Sequence, residues 1–413
     1  DLIAAVTNAF DGAPVSTFAY DNDALDRRTL RVDDGAVTNT FGYNPRSELT
    51  TALMDTNAYS YAYDGIGNRL TATNNGVGTA YWTNPLNQYT NLSVASAPPC
   101  EISPAYDLDG NMITNGVWSY AWDGENRLTT VYSNATLIVS NAYDHQSRRV
   151  LRVSHGGTET RRFIYDGWNL VAELTHTQTH TLTNLYIWGL DLSGSLQGAG
   201  GIGGLLAVVR DGEPFLPCYD ANGNVTEYLS TNGAVVAHYE YDPFGNTVVQ
   251  SGDMADAFAF RFSTKYHDPE TGLVYYGYRY YAPELGRWVN RDPIGEWGGL
   301  NGYTFARNAT DLVDLLGLYV LHFHGDWTGE YDAAQQSRIA RAFANRRRRM
   351  LRNVFYFCTI LCFIIIASLR WMPFGGDDLS LLDCCYKFIT QPQWATNDDS
   401  LLLAEIAALG FLL

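Results

Sequence analysis

The chain has 413 residues and carries 27 Lys+Arg against 44 Asp+Glu, a formal net charge of -17. The imbalance sits entirely in residues 1–318, with 18 basic against 35 acidic residues, whereas 319–413 holds nine of each. So acidic a first part lacks the basic footprint that phosphate backbones require, which excludes nucleic acid as a partner of residues 1–318. The length predicts two or more units. Cys100 and Cys218 lie far apart, while Cys358, Cys362, Cys384 and Cys385 crowd the tail. Without CxxC or Cys/His zinc spacing, neither a disulfide framework, a structural metal nor a cofactor is expected.

Along the first 250 residues the sequence repeats itself. "YAYDGIGNRLT", "PAYDLDGNMIT", "YAWDGENRLTT" and "YEYDPFGNTVV" each place an aromatic residue and Asp before a Gly/Asn-type turn, followed by apolar and β-branched residues. The anchors are Tyr20, Tyr63, Tyr106, Trp122, Tyr143, Tyr165, Tyr219 and Tyr241, with degenerate copies at Tyr43 and near Thr83. Most spacings are 16 to 23 residues, a period that signals a repeat architecture. Runs such as "VVAHYEY" alternate as half-buried strands do, and "DGxGN" supplies residues that accept positive φ in a hairpin turn. The Asp is expected to bond the turn amides, and the Tyr to pack its ring on the sheet with its hydroxyl in solvent. One hairpin cannot bury its own face, so successive hairpins are expected to pair edge to edge into a long twisted sheet.

These strings resemble the YD repeats of the RHS family, which includes bacterial polymorphic toxins, C components of insecticidal toxin complexes, and teneurins. "YIWGLDLSGSLQGAGGIGGLLAV", from Tyr186 to Val208, looks like a segment common in bacterial members. The resemblance implies hairpins wound into a hollow shell around the C-terminal region. Such shells use many more repeats than the roughly ten seen here, so a chain lacking its N-terminal part, with an open edge, is expected.

From Tyr266 the repeat yields to "YHDPETGLVYYGYRYYAPELGRWVNRDPIGEWGGLNGYTFARNATDLVDLLGL", similar along its whole length to the RHS-associated core. It departs from the usual pattern at Gly302, at Ala309-Thr310 and at Leu315, where Pro is usual after the second Asp. Asp292 and Asp314 stand 22 residues apart, close to one repeat, so a spiral sheet can bring them side by side. Paired carboxylates share a proton and activate water, as in aspartic proteases. The simpler readings are an Asp-Pro turn at Asp292 and a cap at Asp314. The resemblance implies self-cleavage, with Asp292 and Asp314 as the dyad, Arg291 orienting the first Asp, and the cut between Leu318 and Tyr319.

The tail resembles no family, and the region it occupies is the variable effector of polymorphic toxins. A helix is predicted from near Asp332, with Arg346 to Arg349 and Arg352 abutting an uncharged apolar run that begins at Val354 and ends at Leu369. Its 16 residues fall short of the ~20 of a spanning helix, and both membrane insertion and burial as a passenger helix remain open. His322 and His324, with Asp326 and Glu330, form a weak metal-like cluster set against an exposed polar turn.

The expectation is therefore a mainly β protein. Residues 1–265 are YD-repeat hairpins in a spiralling partial shell, 266–318 the core with its autocleavage motif, and 319–413 an α-helical effector-like tail. The expected partners are the tail as passenger, a membrane through 354–369, and an immunity protein or delivery machinery, in a secreted or cell-surface setting. The alternative is a non-catalytic adhesion or carbohydrate-binding module with a membrane-anchored tail.

Overall fold

The computed structural model describes residues 2–322 apart from 97, 307, 309, 311 and 319. Tyr319, His324, Asp326, Glu330 and the 354–369 run lie outside the described residues, as do the predicted tail helices. Among the described residues no helix is long and apolar enough to cross a membrane. The described residues all fall in one compact unit.

Antiparallel hairpins follow one another in strict chain order. Ten strands, from Ala5–Phe10 to Cys100–Ile102, make one sheet, and fourteen, from Ala105–Tyr106 to Thr247–Ser251, make a second. The break falls in "APPCEISPAY", where Pro98, Pro99 and Pro104 lack the N–H a ladder needs. The first strand is not left bare. Asn8 Nδ2 donates to the Tyr219 carbonyl at 3.0 Å, and the Tyr219 amide donates to Asn8 Oδ1 at 3.1 Å. Ser16 Oγ donates to Glu227 at 2.9 Å, and the Ala221 amide to the Tyr20 hydroxyl at 3.0 Å. Side chains thus tie the first hairpins to strands some two hundred residues later.

The repeat signature is a five-residue turn. Asp64 Oδ1 accepts from the amides of Ile66 and Asn68 at 2.9 Å each, and Asp64 Oδ2 accepts from Asn68 Nδ2 at 2.8 Å. Asp107, Asp123, Asp144, Asp220 and Asp242 repeat the two amide bonds, and Asn44 and Asn84 substitute for Asp. The fourth turn position is left-handed in each: Gly67 at φ +88°, or Ser47, Asn87, Asn126 and Ser147 where Gly is missing.

The tyrosine preceding the turn departs from expectation, because its hydroxyl is not in solvent. Tyr143, Tyr165 and Tyr241 donate to the carbonyls of Leu128, Arg149 and Val225 at 2.6, 3.0 and 2.7 Å. Trp122 Nε1 does the same to Met112 at 2.7 Å. Each acceptor is the first residue after the preceding turn. The ladder shifts register at the aromatic residue, as between Ala142 and Tyr143, and the ring reaches back to bond a carbonyl of the preceding unit. In these units the side chain therefore stitches one hairpin to the next. Trp188 Nε1 donates to the Leu170 carbonyl at 2.7 Å, which makes "WGLD" a further copy that the sequence pattern concealed.

The core stretch packs into this framework with an aromatic nucleus of Tyr276, Tyr281, Trp288 and Phe305, all fully buried, the rings of Tyr281 and Phe305 stacked at 4.0 Å. Both sheets hold it. Arg287 Nη2 donates to the Asn87 carbonyl at 2.6 Å and the Tyr303 hydroxyl to the Gly110 carbonyl at 2.7 Å. Arg149 grips Asp268 with both terminal nitrogens, at 2.6 and 3.0 Å.

Candidate functional site

Asp314 ends the strand Leu312–Asp314, which pairs with Val320–His322 so that Asp314 faces Val320. Leu318, on the near side of the bond predicted to be cut, therefore follows closely on the strand that Asp314 ends. The chain folds back on that residue: the amides of Gly317 and Leu318 donate to Asp314 Oδ1 at 2.7 and 2.9 Å. Asp292 occupies a turn of its own, its Oδ1 accepting from the Ile294 amide at 2.9 Å and its carbonyl from the Gly295 amide at 3.0 Å. The Asp-Pro turn is thus real, and it leaves Oδ2 free to face Arg279.

Arg279 brings the two carboxylates together. Its Nη2 lies 3.0 Å from Asp292 Oδ2 and 3.4 Å from Asp314 Oδ2. Its Nε donates to the Gly317 carbonyl, and its plane lies over Trp288 at 4.2 Å. All three charged groups are buried, with 0% of Asp314, 6% of Asp292 and 3% of Arg279 exposed. One guanidinium compensates one carboxylate, which leaves the second to take up a proton. Burial, only partly opposed by Arg279 and helped by the Asp292 charge, pushes Asp314 up to about 6. Burial also raises Asp292, against the attraction of Arg279.

Arg291 is exposed and is the weaker of the two cations acting on Asp292. Arg291 was expected to orient Asp292, and it does act on that acid; among the described residues Arg279 is the cation that touches both acids. A lone Arg inside the aromatic run "YGYRYY" was the available signal, because a cation buried there must find a carboxylate. Lys265 was missed as well: its Nζ donates to the Gly200 carbonyl at 2.7 Å, it feels Asp314, and burial pushes it down to about 8.

Leu315, the departure from the family pattern, is buried with Ala199, Ile202 and Val313. Packing therefore holds the backbone where Pro usually would. The seat is the "GAGGIGG" loop, whose Ala199 and Gly201 amides donate to Asp191 Oδ2 at 2.7 and 3.1 Å. At Gly200, φ is +62° and a Cβ would lie 2.3 Å from the Leu315 carbonyl oxygen, so only Gly permits the approach.

Away from these residues, His155, Glu159 and Glu270 each place a metal-capable atom within 4.8 Å of the others. Arginines already engage two of them: Arg152 pairs with Glu270, and Arg161 with Glu159 at 2.7 Å.

Strictly sequential hairpins, Asp-centred turns, and a core holding two acids on one guanidinium define a YD-repeat protein. The teneurin YD-shell family model matches residues 16–320, and the chain belongs to that family. It is 28% identical over 265 residues to the tRNA3(Ser)-specific nuclease WapA of Bacillus spizizenii, covering 62% of this chain and 10% of that protein. It is 28% identical over 288 residues to toxin subunit YenC1 of Yersinia entomophaga, covering 63% of this chain and 29% of that one. The chain thus spans under a third of these relatives. A solved Tc holotoxin pore of Photorhabdus luminescens shares the fold, with a TM-score of 0.54 and 20% identity over 75% of this chain and 17% of that one.

Proposed function

We propose that the chain is part of a toxin-type YD shell whose core cuts the polypeptide between Leu318 and Tyr319 and so frees residues 319–413 as its passenger. The observation that carries this reading is the sharing of Arg279 by Asp292 and Asp314, with Asp314 also bonded to the amide of Leu318. Asp292, nearer the guanidinium, stays ionised and takes a proton from water, and the resulting hydroxide attacks the Leu318 carbonyl carbon. Asp314, protonated near pH 6, gives its proton to the Tyr319 nitrogen as the C–N bond breaks. The products are a carboxylate on Leu318 and an amine on Tyr319. Residues 319–413 are then the effector, and secretion, delivery machinery and an immunity protein are what such a design calls for. The names of the WapA and YenC1 relatives support the toxin reading.

The test is N-terminal sequencing of the small fragment from the expressed chain, beside Asp292→Asn. A fragment beginning at Tyr319, absent from the variant, is expected. A wild-type chain that stays whole on prolonged incubation, or a variant that is still cut, would point instead to the non-catalytic module.

A further inference from the structure

Hydrolysis needs water at two acids that the fold buries, Asp292 at 6% and Asp314 at 0% exposed. A cavity of about 500 Å³ adjoins both. On the Asp292 side its wall is Gly298, the last residue of the short 3-10 turn Gly295–Gly298. A Cβ there would lie 2.3 Å from Asp292 Oδ2 and 2.9 Å from its Cγ, so Gly298 meets that oxygen with nothing bulkier than a hydrogen. Its φ is not left-handed, so the missing side chain answers to this approach and not to backbone strain.

On the Asp314 side the link is a shared face. Residues two apart on a strand, and residues directly opposite on its antiparallel partner, project to the same side. Leu312, Asp314 and Val320 therefore share one face of the strand pair, and Leu312 and Val320 line the cavity. Asn68, Asn301 and Thr304 add polar partners to the wall. A polar space of this size holds on the order of ten waters.

We infer that this cavity is the water store of the two acids, and that a water held at its Gly298 edge, against Asp292 Oδ2, is the one Asp292 deprotonates. The inference rests on the cutting proposed above and adds where its nucleophile waits. Gly298 is then a positioning residue, and Leu312 sets the room beside Asp314.

Side-chain size at Leu312 is the test, because room and packing pull in opposite directions there. Leu312→Ala enlarges the cavity and loses apolar contact, whereas Leu312→Trp keeps apolar surface and fills the space. In full chains refolded from urea at pH 6 and followed on gels, Leu312→Trp is expected to cut about tenfold or more slowly than Leu312→Ala. The alkaline fall in its rate should stay near pH 6, because both acids keep Arg279. Equal rates, a slower Leu312→Ala, or a fall displaced from pH 6 would overturn the inference. Gly298→Ala reads the opposite wall: its methyl takes the place of the water, and cutting about tenfold or more below the unchanged chain is expected. Undiminished cutting by that variant would overturn the inference too. The unchanged chain, run alongside, separates the two failures. If it stays whole, the proposed cutting fails and the water store with it; if it is cut while the variants depart from these outcomes, the water store alone fails.

Discussion

Asp314→Asn separates what the dyad does chemically from what it costs the fold. Burial moves this carboxyl from its ordinary 3.8 to about 6, a preference for the neutral form of roughly 3 kcal/mol. The folded value exceeds the unfolded one. The contribution is therefore fully present below about pH 4 and is lost as pH rises through 6. An Asn keeps an oxygen for the Gly317 and Leu318 amides while abolishing the titration. Cutting in Asp314→Asn should fall by about 10²- to 10⁴-fold. In the wild type the acid form drops from about half at pH 6 to about one in a hundred at pH 8, so the rate should fall roughly 50-fold over that span. Chain refolded from urea into buffers of pH 5 to 8, followed on gels, gives both rates. Wild-type cutting by Asp314→Asn, or a wild-type rate unchanged between pH 6 and 8, would refute the reasoning.

Arg279→Met removes the main attraction that lowers both acids, so the alkaline fall in cutting rate should move above pH 6, with Arg279→Lys restoring much of the original profile. Arg149→Met leaves Asp268 buried beside Arg152 alone and should cost about 3–5 kcal/mol, read from the urea midpoint. Gly200→Ala would press a methyl onto the Leu315 carbonyl at a left-handed φ. A loss of about 1–3 kcal/mol together with slower cutting is expected, measured on the same gels and urea curves.

The YD strings could be read in advance because each turn is local: an Asp, its own amides two and four residues on, and a left-handed fourth position are written within five letters. Sequential pairing follows from the same economy, since each hairpin finds its neighbour next in the chain. The destination of the tyrosine hydroxyl was not legible, because its carbonyl partner lies about fifteen residues back and is exposed by a register shift that the letters do not mark. The motif also made Asp292 and Asp314 visible as candidates. It offered Arg291, which acts on Asp292, but not Arg279, which lies beside both acids in space.

By itself, then, the sequence determined the hairpin repeat, its turn chemistry, the mainly β class and the two acids worth testing. Tertiary structure alone decided which guanidinium joins those acids and how Leu315 is seated in a glycine loop over a hundred residues away. Those outcomes depend on desolvation and on contacts between distant segments. Burial, not spacing, sets whether a carboxylate keeps its charge.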